Sequence, residues 1–252
     1  MDNVDRLLLG LALAFVGLHL FYTERARAGR VPELRRLGAF QVLREMMARA
    51  VEAGRTLHLS LGSGGIATET TADSLAGLWV LDYFSEQAAA AGVPPLVSMA
   101  DPTLMLLAQD TLRRAHGDDL VGARRSSEQV RWIAPEPAAY AAGVMGILNI
   151  EGVQANAMVG KFGDEYLLMG ETGARFGADI TQVGAASDPS VLPFVYVSTD
   201  EMLLGEEMYA AGAYLSQKPA HVGSLLAQDT LRWIVALFIL GAILLRSFGL
   251  IG

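Results

Sequence analysis

The chain has 252 residues, 52% of them apolar and only 18% charged, against roughly 25% charged in an average soluble domain. Its net charge of −8 disfavours a nucleic-acid partner, because phosphate binding needs a basic surface. Cysteine is absent and His19, His58, His116 and His221 lie far apart, so disulfides and thiolate chemistry are excluded and no metal-ligand spacing is present.

Leu7 to Tyr22 runs without a charge and would form a helix of about 24 Å, extendable through Val4 and a snorkelling Arg6 toward the roughly 30 Å hydrocarbon core. Ala26-Arg27-Ala28 resembles a signal-peptidase site, but Asp2 and Asp5 stand where a leader would be positive and arginines crowd the cleavage region. An uncleaved anchor is therefore expected. After Pro32, the spacing of Leu34, Leu37, Phe40, Leu43 and Met47 predicts an amphipathic helix ended by Gly54. RTLHLSLG then alternates as a strand, with Leu57, Leu59 and Leu61 on one face, and GSGG makes a turn into a long helix over 70–91. PPLVSMA reads as a strand, and Asp101-Pro102 opens the next helix. QVRWIA is the third strand and PAAYAAGVMGIL the third helix, where Ala142 and Gly146 have the spacing of close helix packing. QANAMVGKFG, EYLLMG and FVYVSTD read as further strands, and GEEMYAAGAYL as a helix. SLLAQDTLRW starts a helix that can run unbroken into the apolar segment from Trp233 to Leu245.

Strands alternating with helices predict an α/β fold, a Rossmann-like, mostly parallel sheet with covering helices, flanked by N- and C-terminal transmembrane helices. The expected organisation is an anchor over 1–30, an α/β domain over 31–230 and a second anchor over 231–252. Arg25, Arg27, Arg30, Arg35, Arg36 and Arg232 flank the middle of the chain, and only Arg6 and Arg246 lie at the opposite ends. The excess places the central domain in the cytoplasm, at the inner (plasma) membrane with the lipid bilayer as partner.

The octapeptide LLAQDTLR occurs at Leu106–Arg113 and again at Leu225–Arg232, an offset of 119. VSMAD and VSTD share an offset of 100, and the two YAAG segments one of 69, so no single duplication explains them. One helix surface used twice does, with Leu106, Leu107 and Leu112 turned to a core and Asp110 paired with Arg113.

The chemistry candidates are few. Gly62, Gly64 and Ala67 fit G-x-G-x-x-A between a strand and a helix, where backbone amides can hold a phosphate. Gly62, Ser63, Gly64 and Gly65 are accordingly the candidate cofactor-binding residues, with a nucleotide as the ligand. Against this, the acid after the second strand, Asp101, lies 34 residues past Ala67 rather than about 20, and Glu69 and Asp73 repel phosphate. A Ser–Lys hydrolase would use Ser63 or Ser98 with Lys161 and the Gly64 and Gly65 amides. Glu206 and Glu207 are either buried acids or helix-start carboxylates.

The run from LHLSLGSGG through LLAQDTLR, with GSGG at Gly62, NAMVGKFGDEYLLM at Asn156 and GEEMYAAGAYL at Gly205, resembles a bacterial membrane-protein family defined by a domain of unknown function. The resemblance implies a membrane location and a glycine-rich α/β domain, and brings no catalytic residue with it. The expected function is a non-enzymatic, membrane-anchored scaffold whose domain self-associates into a homo-oligomeric ring or array, without metal or cofactor. The alternatives are a nucleotide- or small-molecule-binding enzyme or sensor using the Gly62–Gly65 loop, and an accessory subunit of a membrane complex.

Overall fold

A computed structural model describes residues 3–30, 33–176 and 180–247. In chain order the elements are α1 (Asn3–Arg27), α2 (Gly38–Glu52), β1 (Thr56–Gly62), α3 (Thr71–Ala91), β2 (Leu96–Met99), α4 (Pro102–Ala115), α5 (Leu120–Ser127), β3 (Val130–Trp132), α6 (Pro137–Ile150), β4 (Val153–Lys161), α7 (Glu165–Phe176), β5 (Thr181–Ala186), α8 (Leu192–Ser198), β6 (Glu201–Leu204) and α9 (Pro219–Ser247). A 3-10 turn (Gly205–Ala210) and a π turn (Gly212–Ser216) fill the span expected to be one helix. Two compact units result: residues 35–216, and the terminal segments 1–34 with 217–252.

In the terminal unit two helices are long and apolar enough to cross a membrane, with mean hydropathy of 1.8 over the best window of Val4–Arg27 and 1.7 for Pro219–Ser247. Their apolar side chains, such as Leu13, Leu20, Trp233 and Phe238, are exposed. The two helices touch where Gly223 admits Thr23, and the Tyr22 and Thr230 hydroxyls bond at 2.8 Å. As expected, the helix that carries the second octapeptide continues unbroken into the apolar segment.

The central unit is a six-stranded sheet, parallel throughout, in the order β3-β2-β1-β4-β5-β6. Parallel sheets are covered on both faces, and β1 is buried from Leu57 to Gly62. Leu61 packs beneath α3, where Gly77 brings the helix against it, while Ser60 turns to Tyr140 of α6 on the opposite face.

Two expected strands are helices. EYLLMG lies in α7, burying Tyr166 and Met169 while Leu167 and Leu168 face outward; that is helical rather than alternating burial. FVYVSTD is mostly α8, with Val195 and Ser198 inward and Tyr196 and Val197 outward. The fifth and sixth strands are instead TQVGAA and EMLL. Close packing in α6 falls at Gly143, which meets Ile133, whereas Gly146 faces open space.

The first octapeptide also departs from expectation. Leu104, Ala108, Thr111 and Leu112 are the buried face of α4, and Leu106 is 71% exposed. The two copies share local chemistry nonetheless. Ala108 and Ala227 are buried, Thr111 and Thr230 each donate to the carbonyl four residues back at 2.8 and 2.9 Å, and Asp110–Arg113 and Asp229–Arg232 pair at 2.5 and 3.7 Å.

Candidate small-molecule site

The strand order reverses between β1 and β4: the chain leaves β1 toward β2 and leaves β4 toward β5. In open α/β sheets such a reversal opens a crevice outside the carboxyl ends of the strands, where ligands bind. Here the two strand ends are held unusually close. Gly62, with φ of +76°, ends β1 so tightly against β4 that a Cβ would meet the Lys161 carbonyl oxygen. The Ser63 amide donates to that carbonyl at 2.8 Å.

Five polar side chains converge around this junction. The Ser63 hydroxyl lies 3.2 Å from the Lys161 carbonyl and 3.3 Å from Glu165 Oε1. Glu165 opens α7, is 8% exposed, and also accepts the Gly163 amide at 2.9 Å. Lys161 Nζ reaches past β4 to Asp188 Oδ2 at 2.9 Å, just beyond the end of β5. The lysine hydrogen bond, then the hydroxyl and amide of Ser190, hold the Asp188 carboxyl well below the usual carboxylate range. On the β2 side, Asp101 caps α4 by accepting the Thr103 amide at 2.7 Å. Its Oδ2 lies 2.6 Å from where a Cβ on Gly65 would sit.

The glycine loop itself is closed. Its amides donate to threonine hydroxyls: Gly65 to Thr70 at 3.0 Å, Ile66 to Thr103 at 3.1 Å, and Thr68 to Thr71 at 3.1 Å. Ala67, at the loop tip, is held at φ of +65°, a left-handed conformation that costs a non-glycine residue about 1 kcal/mol or more. On the far side, Tyr209 of the 3-10 turn donates to Asp73 Oδ1 at 2.6 Å, near the start of α3. Burial, then that carboxylate, push the Tyr209 phenol up to about 12.

Among the described residues, the strand ends gather Asp101, Glu165 and Asp188 around Lys161, whose ammonium pairs with Asp188. Such a site suits hydroxyl donors better than a phosphate, since the Ser63, Gly65, Ile66 and Thr68 amides already donate within the protein and the carboxylates repel anions. Among the described residues no group of three or more His, Asp or Glu could hold a metal ion.

Gly62, Ser63, Gly64 and Gly65 all lie at this junction. Only Ser63 presents a side chain, and the three glycines make room for Lys161, Ser74 and Asp101. The Ser–Lys pairing is not assembled: Lys161 turns its main chain to Ser63 and its ammonium to Asp188, while Ser98 is buried in a network described below. Glu207 accepts the Leu204 amide at 3.1 Å and pairs with Arg35 at 2.5 Å, so it acts as a turn-start carboxylate, and Glu206 is exposed. Sequence reasoning missed Glu165 and Asp188. Their signals are the polar residues directly after a strand, in KFGDEY and in the turn-forming SDPS.

Beneath the crevice, a hydrogen-bonded seam crosses the sheet. Tyr140 OH lies 2.6 Å from Ser60 Oγ and 3.1 Å from Ser98 Oγ, beside the Gly62 backbone. Ser98 Oγ lies 2.9 Å from His58 Nε2, and His58 Nδ1 lies 2.8 Å from Asn156 Oδ1. Asn156 Nδ2 donates to Gln182 Oε1 at 2.8 Å, and Gln182 Nε2 donates to the Gly170 and Ser198 carbonyls at 3.1 and 2.8 Å. The donor order assigns His58 as the neutral Nδ1–H tautomer, accepting Ser98 at Nε2. Burial lowers the His58 pKa to about 4 and raises that of Tyr140 to about 12.

A family model described as a domain of unknown function, DUF6754, matches residues 2–251. No curated protein and no solved structure matches the chain.

Proposed function

The chain belongs to the DUF6754 family, whose description assigns no activity, and we propose from the geometry that it is a membrane-anchored, small-molecule-binding protein. In this reading α1 and α9 cross the plasma membrane and the arginine excess keeps the central domain cytoplasmic. The observation that carries the reading is the reversal of strand order between β1 and β4, with Ser63, Asp101, Lys161 and Glu165 gathered at the strand ends. The ligand is a neutral, hydroxyl-rich molecule of nucleoside or sugar type. A vicinal diol would donate to Asp101 Oδ2, as ribose does to the acid after the second strand in dinucleotide-binding folds, and Ser63 would bond a further hydroxyl.

Thermal-shift screening of the full chain in mild detergent, against nucleosides, sugars and nucleotides, tests this. A ligand at about 100 times its Kd stabilises by about 2.7 kcal/mol, or roughly 5–10 °C for a domain of this size. Nucleosides or sugars should give that shift, and Asp101→Asn, binding at least about tenfold more weakly, should cut it to about half or less. A shift given only by phosphate-bearing compounds, or one undiminished in the variant, contradicts the reading.

A second reading, self-association, is favoured by a separate observation. Leu106 of α4 and Leu120 and Val121 of the adjoining α5 are 71%, 80% and 80% exposed, an apolar surface that a second copy of the domain would cover.

A further inference from the structure

The cytoplasmic end proposed for α1 is built differently from a helix that simply frays. Gly29, with φ of +72°, donates to the Ala26 carbonyl at 3.0 Å, and Arg30 donates its amide to the Arg25 carbonyl at 3.1 Å. These are the two bonds of a Schellman cap. The cap folds Arg30 back along the helix toward Arg25, and the two line a cleft of about 460 Å³ with Leu20, Phe21, Glu24 and Ala28. Glu24 is occupied by Arg27 at 2.5 Å. Among the described residues, neither the Arg25 nor the Arg30 side chain has an ion-pair or hydrogen-bond partner. An exposed stripe, Leu9, Leu13, Val16 and Leu20, descends the helix from the cleft at helical spacing, and Gly10 and Gly17 leave open space beside it.

We propose that this cleft binds one anionic phospholipid, its headgroup phosphate between Arg25 and Arg30 and an acyl chain along the Leu13–Gly17–Leu20 groove. Two arginines lining one cleft fit a phosphodiester, and the apolar stripe that meets them fits a chain rather than a soluble anion. The inference rests on α1 lying in a bilayer.

Native mass spectrometry after reconstitution in phosphatidylglycerol/phosphatidylcholine vesicles tests it, with vesicle co-flotation measured first. A chain that fails to co-float defeats the membrane reading. In a chain that does co-float, one phosphatidylglycerol per chain should be retained over phosphatidylcholine by about 30-fold, at about 1 kcal/mol per arginine. R25Q/R30Q should reduce the preference to about onefold with unchanged melting, while R125Q on α5 keeps it. Displacement of the lipid by millimolar glycerol phosphate would show a free-phosphate site and overturn the acyl-chain assignment. Equal retention of both lipids, or full preference in R25Q/R30Q, would overturn the site.

Discussion

Acidification should weaken the central domain through one residue, His58. Its ring is fully buried and neutral, donating to Asn156 and accepting from Ser98, so a proton added at Nε2 would place an uncompensated charge in the core. Burial lowers its pKa from 6.5 to about 4, a difference worth about 3 kcal/mol. Between these values the unfolded chain binds the proton and the folded one does not, so stability rises with pH across that window. The contribution is complete above about pH 6.5 and is lost progressively as pH falls toward 4. Carboxylates contribute acid lability of their own, so the informative quantity is a difference. Urea unfolding of the full chain in detergent, followed by the fluorescence of Trp79 and Trp132, should be compared with His58→Gln. The variant should be less stable at pH 7 by about 1–3 kcal/mol, because its seam partners lose hydrogen bonds. The gap should shrink or reverse by about 3 kcal/mol as pH falls from 7 to 4. Parallel stability curves for the two proteins over that range would refute the assignment of a buried neutral imidazole.

Three further outcomes are expected. Gly62→Ala should cost at least about 2 kcal/mol, since its φ is positive and its Cβ space holds the Lys161 carbonyl, whereas Gly146→Ala, mid-helix and facing open space, should gain about 0.5–1 kcal/mol; thermal melts of the pair check both. Leu106→Asp with Leu120→Asp should leave melting within about 1 kcal/mol and abolish any oligomer seen by light scattering, because both side chains are exposed; an oligomer that survives excludes this surface. The chain has no cysteine, so Ala139→Cys, at an exposed position of α6, reports topology directly: a membrane-impermeant maleimide should label it only after permeabilisation of cells.

The first half of the sheet was legible because its punctuation is local. Gly54, GSGG, Pro94-Pro95 and Asp101-Pro102 bracket β1, α3, β2 and α4. The short α5 was not, since it depends on Asp119 accepting the Gly122 amide within a polar stretch. The second half misled for a tertiary reason. TQVGAA lacks the bulky residues of an ordinary strand because helices press on it, and Gly184 is where the Tyr166 hydroxyl of α7 rests. Without a strand pattern in β5, the apolar runs of α7 and α8 read as strands, and Asp188 and Glu165 have no visible place at strand ends. The glycine loop was found from its spacing, but its role as a tightly packed turn depends on Lys161 and Asp101, remote in sequence. The first octapeptide shows the same limit: the chemistry it shares with the second copy is readable, and the outward turn of Leu106 is not.

We propose that a hydroxyl-rich ligand is held at the junction of β1 and β4. The most direct test is a calorimetric isotherm of the best-stabilising nucleoside or sugar with the wild-type chain and with Asp101→Asn, which keeps the α4 cap while removing the charge. One site per chain is expected in the wild type and at least about tenfold weaker binding in the variant, from loss of charge-assisted hydrogen bonds. Equal affinity in the two proteins would contradict it.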